Sequence, residues 1–146
     1  MKKKVKEVKE DKNINEKIMF GMLDDIAKRL LPLTSKYVGS ENTLKAIELK
    51  ESIKSNFQMY TDVRTKLCEK YCKKDEKGEV MYGEGSKYIF PKENEKVIEE
   101  EMFKLNTTIA EVKNITFKIT DIMAANVEMS PDEIITLKEI GIIELI

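Results

Sequence analysis

From Ser40 to Lys73 the chain runs without a Gly or Pro, and apolar positions recur at Ala46, Leu49, Ile53, Phe57, Tyr60, Val63, Leu67 and Tyr71. Steps of three and four keep these side chains on one stripe of an α-helix. The pattern predicts a helix over about 41–73, roughly 50 Å long at 1.5 Å per residue. That is longer than a domain of this size covers from one side. Part of the stripe is therefore expected to meet a second copy or another protein.

The flanking patterns complete a mostly helical α+β fold. Ile18, Met22, Ile26 and Leu30 repeat every four residues from Asn15 onward, which predicts a first core helix stopped by Pro32. A short link then brings the chain to Ser40, whose hydroxyl is expected to cap the long helix, so the two helices form an antiparallel pair. Asp75 to Gly78 supplies turn chemistry, with Gly78 suited to positive φ. Two short strands rich in Val, Tyr, Ile and Phe flank the turn at Gly83 to Ser86 and predict a β-hairpin over about 79–90.

A third helix is expected from about Lys92 to Leu105. Alternation of Ile115, Phe117 and Ile119 with Thr116 and Lys118 predicts a strand near 112–119. Ser130-Pro131-Asp132-Glu133 is a capping-box sequence with proline at the first helical position, which predicts a short C-terminal helix ended by Gly141. The apolar tail of Ile142, Ile143, Leu145 and Ile146 either packs as a last strand or contacts a partner. Residues 1–12 carry six lysines with little to bury and are expected to form a flexible arm, leaving one globular domain over 13–146.

Charge adds little direction. With 26 Lys plus Arg against 27 Asp plus Glu, no net field draws in nucleic acid, so a nucleic-acid partner is disfavoured. No window reaches the roughly 18 apolar residues of a membrane span, and the start lacks the apolar core of a secretion signal. A cytoplasmic protein of a bacterial cell is the expectation. The sequence has no histidine, which removes every Ser-His, Cys-His and His-metal arrangement. Cys68 and Cys72 lie one helical turn apart, where a disulfide is disfavoured, and two thiols are half of a structural zinc site. Neither a metal nor another cofactor is expected.

Two short motifs have ordinary structural explanations. Gly83-Glu84-Gly85-Ser86-Lys87 superficially suggests a phosphate loop, but its spacing is wrong, its flanks read as strands and Glu84 would repel phosphate. Glu99 to Glu101, with Glu93 and Glu95, point in different directions around a helix and read as a solvated face. Tyr60, Arg64, Lys66 and Tyr71 mix aromatic and basic groups within a few helical turns, a combination able to hold a nucleotide or an anionic peptide. Tyr88 on the hairpin is a further candidate, and Ile142, Ile143 and Leu145 are candidates for contact with a partner.

Arg64-Thr-Lys-Leu-Cys-Glu-Lys-Tyr-Cys-Lys-Lys-Asp-Glu-Lys-Gly-Glu resembles a family of small proteins encoded by phages and prophages of Gram-positive bacteria. The resemblance extends over about 15–140 through Leu31-Pro32, Lys70-Tyr71, Asp75 to Gly78, Tyr88-Ile89-Phe90 and Ser130-Pro131. These are turn and cap signatures, and no catalytic residue comes with them; the lysine-rich start departs from the pattern. The resemblance implies a phage accessory protein. Together with the uncovered stripe it leads to a non-enzymatic protein that binds a host or phage protein, such as a host defence factor it would inhibit, and forms a homo-oligomer. The alternatives are an oligomeric sponge for a nucleotide, its pocket built from Tyr60, Arg64, Lys66 and Tyr88, and a component of the virion or its assembly.

Overall fold

A computed structural model describes residues 13–146. The arm expected over 1–12 lies outside the described residues. After a 3-10 turn at Phe20–Met22, the elements are α1 (Leu23–Arg29), α2 (Leu31–Thr34), α3 (Ser40–Tyr71), α4 (Glu95–Thr107), β1 (Phe117–Lys118), α5 (Ile119–Ala124), α6 (Pro131–Glu139) and β2 (Ile143–Glu144). The fold is α+β and mostly helical. Its long helix lies within two residues of the predicted span at either end.

α1 and α2 run antiparallel to the first half of α3. Val38 N–H donates to Thr43 Oγ1 at the near end of the pair, and Phe20 stacks on Tyr60 at the far end. The first helix is shorter than its periodicity implied. Residues 14–19 instead make two antiparallel bridges, at Ile14 and Met19, on either side of a turn at Glu16 and Lys17, because their backbone bonds a segment nearly a hundred residues away: Asn15 N–H donates to Val112 O (2.8 Å), and Ala110 N–H donates to Ile18 O (2.9 Å). Ile18 reaches the core in either conformation. Pro32 does not end the helical run but sits in the first turn of α2, where its missing N–H costs no hydrogen bond.

Ser40 is not the cap of α3. Gly39 is, with φ of +91° and its carbonyl accepting from Thr43 N–H, while the Ser40 hydroxyl lies 3.0 Å from that of Tyr37. The C-terminal signal holds as expected. Ser130 Oγ accepts from Glu133 N–H, the Glu133 carboxylate accepts from Ser130 N–H, and Gly141 adopts positive φ after α6.

The hairpin near 79–90 is narrow, with Tyr82 bridging Tyr88 antiparallel and Gly83 N–H donating to Lys87 O. α4 then returns along the second half of α3. Tyr60 Oη donates to Asn106 Oδ1 (2.6 Å) and Asn94 Nδ2 donates to Tyr71 O (3.0 Å), which fixes the antiparallel direction. At Gly21 an added Cβ would fall 3.0 Å from both Cβ and O of Asn106, so the 3-10 turn approaches α4 as closely as it does only because that residue is glycine.

Of the strand expected near 112–119 only Phe117–Lys118 forms, as β1, and Ile119 already begins α5. β1 pairs parallel with β2, Phe117 opposite Ile143 and Lys118 opposite Glu144, with α5 and α6 forming the crossover. Before β1, residues 108–114 have the N-terminal segment on one edge only. On the other edge α3 side chains replace a strand: Glu111 N–H donates to Asn56 Oδ1 and Lys113 N–H to Ser52 Oγ, both at 2.9 Å. Asn56 is buried, and its Nδ2 donates to Ser52 O. A second buried amide, Asn15, donates from Nδ2 to Ile140 O (2.7 Å) and ties the N-terminal segment to the end of α6.

The core lies around this junction, with Leu23, Leu49, Val112, Phe117, Leu137 and Ile142 among its fully buried side chains. Asn56→Ala removes the acceptor of the Glu111 amide inside a buried junction. It should cost about 1–3 kcal/mol of unfolding free energy in urea, whereas exposed Lys66→Ala should stay within about 0.5 kcal/mol. Equal small effects from both would contradict the structural role given to Asn56.

Candidate functional site

Ala27 is a small residue between Leu23, Leu30 and Leu31 on the α1–α2 side, and the opposing turns of α3 present Lys50, Ile53, Lys54 and Phe57. The missing bulk at Ala27 leaves an open cleft of about 240 Å³, closed at its base by Leu23, Leu30 and Ile53, all buried. Leu31 and Phe57 at its margins are 55% and 40% exposed. Thr34 adds no free hydroxyl proton, since Oγ1 donates to Leu30 O at 3.1 Å.

Charges around the cleft are unequally matched. Asp24 pairs with Lys28 (2.9 Å), and Arg29 bonds both Asp25 (2.8 Å) and Asp132 (2.5 Å), joining α1 to α6. These carboxylates, Asp132 foremost, hold the Arg29 guanidinium firmly charged. Lys50 and Lys54, four residues apart on α3, have no acidic partner among the described residues. A like-charge pair at this spacing weakens a helix slightly. The cleft is thus an apolar trough with two uncompensated cations on one bank.

A shallower apolar groove of about 640 Å³ lies between α5 and α6, lined in part by Ile122, Met123, Met129 and Ile134. Past Asn56 the cover over α3 thins. Met59 and Val63 are 50% and 44% exposed, and on α4 Phe103 is 68% exposed.

The candidates from the sequence fall into separate surroundings. Tyr60 is half-buried between Phe20 and Phe57 and bonded to Asn106, a packing role. Lys66 is six residues further on, about 240° around the helix at 100° per residue, so the two do not share a wall. Arg64 is exposed; Tyr71 is half-buried with Lys70 Nζ 5.2 Å from its ring centre. Tyr88 packs with Tyr82 and Phe90, near Cys68 and Cys72. Ile142 and Ile143 are buried, the latter in β2, and only Leu145 of the three tail candidates is exposed. Missing from that candidate set is Lys50 with Lys54, whose four-residue spacing beside the apolar stripe was visible in the sequence.

Among the described residues no three Cys, Asp or Glu side chains gather as a metal site, and no buried side-chain polar atom lacks a hydrogen-bond partner. Burial pushes the Cys68 thiol up, against the opposing pull of Arg64. Burial and then the neighbouring Tyr82 push the Tyr88 hydroxyl up. Comparison with protein-family models, curated proteins and solved structures finds no match.

Both perturbed groups are acids whose neutral form the fold favours. Their contribution to stability is complete below the ordinary values, 9.0 for the thiol and 10.0 for the phenol, and is lost as pH rises through the raised ones. Urea midpoints should therefore fall above about pH 9, and Cys68→Ser should reduce the first part of that fall. At neutral pH iodoacetamide should label Cys68 more slowly than a free thiol and leave buried Cys72 unmodified until unfolding. Rapid labelling of both in the native protein would contradict this packing.

Proposed function

We propose that the chain is a non-enzymatic phage or prophage accessory protein that acts by binding another protein, such as a factor of its bacterial host. One observation carries the reading: the α3 stripe stays apolar beyond residue 56, while the cover over it stops being complete there. Ala46, Leu49 and Ile53 are buried, but Phe57 and Val63 are substantially exposed. Adjacent to the point of change, the cleft offers a concave apolar floor.

Exposed apolar side chains grouped on helices are the raw material of protein interfaces. A stable interface needs about 1,200–2,000 Å² of total buried surface, and the cleft, the open edge of α3 at Met59 and Val63, and Phe103 of α4 are the exposed apolar surfaces from which it would be built. A sequence without histidine supports a binding role over acid–base catalysis. The phage setting rests on the sequence resemblance.

An affinity-tagged protein produced in a Gram-positive host should retrieve a defined partner in near-stoichiometric amount. Leu31→Asp at the cleft or Val63→Asp on the open half of α3 should reduce that yield at least about tenfold with circular dichroism unchanged. A protein that light scattering shows to be monomeric and that retrieves nothing would overturn the proposal. So would a partner retained equally by both variants.

A further inference from the structure

We infer that the cleft between α1–α2 and α3 receives an acidic amphipathic helix of the partner, two of its apolar side chains seated on the floor and its carboxylates paired with Lys50 and Lys54. This rests on the protein-binding reading and specifies which segment of a partner this surface recognises.

Size favours a helix over a small ligand. A closed apolar cavity of about 150 Å³ holds one benzene ring, so the cleft's 240 Å³ takes about two side chains of that size. Small-molecule sites begin near 300 Å³ and enclose most of their ligand, whereas this trough lies open between two helices. An amphipathic helix presents large apolar side chains three or four residues apart, the spacing that lets two enter one groove from above.

Charge then selects the sign of the flank. On the α1 bank Asp24 and Asp25 each have a basic partner, Lys28 and Arg29, with Arg29 shared by Asp132 and the Asp24–Lys28 pair open to solvent. The α3 bank carries Lys50 and Lys54, which have no acidic partner among the described residues. One turn of helix separates them, so two carboxylates one turn apart on a docked helix meet both ammonium groups while their stems lie along the apolar margin. Binding would relieve a like-charge repulsion that the free protein retains. A basic helix would add to it.

The test is selection of a displayed library of helical peptides, randomised at surface positions, on the full-length protein. Enriched sequences should carry large apolar residues at i and i+3 or i+4 and acids along one flank. Fluorescence anisotropy should show their affinity fall at least about tenfold with Lys50→Glu/Lys54→Glu and fall again with rising salt. Replacing the flanking acids of a selected peptide with lysine should restore binding to the double variant. Ala27→Trp, which fills the trough, should abolish binding while the double variant keeps its fold.

Failure to enrich, enrichment without acids, or indifference to the double variant would each overturn the inference. The broader reading is judged separately. A retrieved partner that Val63→Asp releases and Lys50→Glu/Lys54→Glu does not would leave protein binding standing while removing this occupant of the cleft.

Discussion

The junction at the core of the described chain rests on a segment, residues 108–114, that has backbone partners on only one side. Alternate backbone groups of an extended segment face opposite edges. Those of Ala110, Val112 and Asn114 meet the N-terminal segment, while the N–H groups of Glu111 and Lys113 point to α3. A backbone group withdrawn from water and left unmatched costs as much as a lost hydrogen bond, and the part-buried Glu111 amide is the more demanding of the two. Ser52 and Asn56, one helical turn apart, meet that requirement with side-chain oxygens. A helix thus does the work of a sheet strand, which fixes its rotation and places Leu49 and Ile53 against the core.

The same constraint explains why α3 is two things in sequence. Up to Asn56 it is bound on several sides by the α1–α2 pair, the 108–114 segment and the core. Beyond Asn56 its main companions are α4 and the hairpin, with side-chain bonds such as Tyr60 to Asn106 and Asn94 to Tyr71 joining α3 to α4. The cleft lies where the first regime gives way to the second, with Ile53 buried in its floor and Phe57 open at its edge. Rigid support below and apolar exposure above make a surface suited to docking.

Local signals were legible in the sequence and long-range ones were not. The α3 boundaries, the Ser130 capping box and the positive φ at Gly78 each follow from a few adjacent residues, and each is present. The helix expected to begin at Asn15 failed for a physical reason. Ile18 would be buried on a helix or on a strand, and the bonds to Val112 and Ala110 that decide between them come from nearly a hundred residues away. Gly39 displaced Ser40 as cap because the chain enters α3 through positive φ and the Ser40 hydroxyl lies against that of Tyr37. For Ile142 and Ile143 the sequence left a last strand and a partner contact both open, and the pairing of β2 with β1 decides for the strand. The cleft was not read because its two banks are separate helices, although the lysine pair on one bank was in plain sight.

Hydrogen exchange along α3 tests the central claim most directly, since local opening follows local packing. Amides up to Asn56, together with those of Glu111 and Lys113, should exchange as one slow group near the global unfolding limit, and protection should step down between residues 57 and 71. Uniform protection along Ser40–Tyr71, or fast exchange at Glu111 and Lys113, would contradict the account.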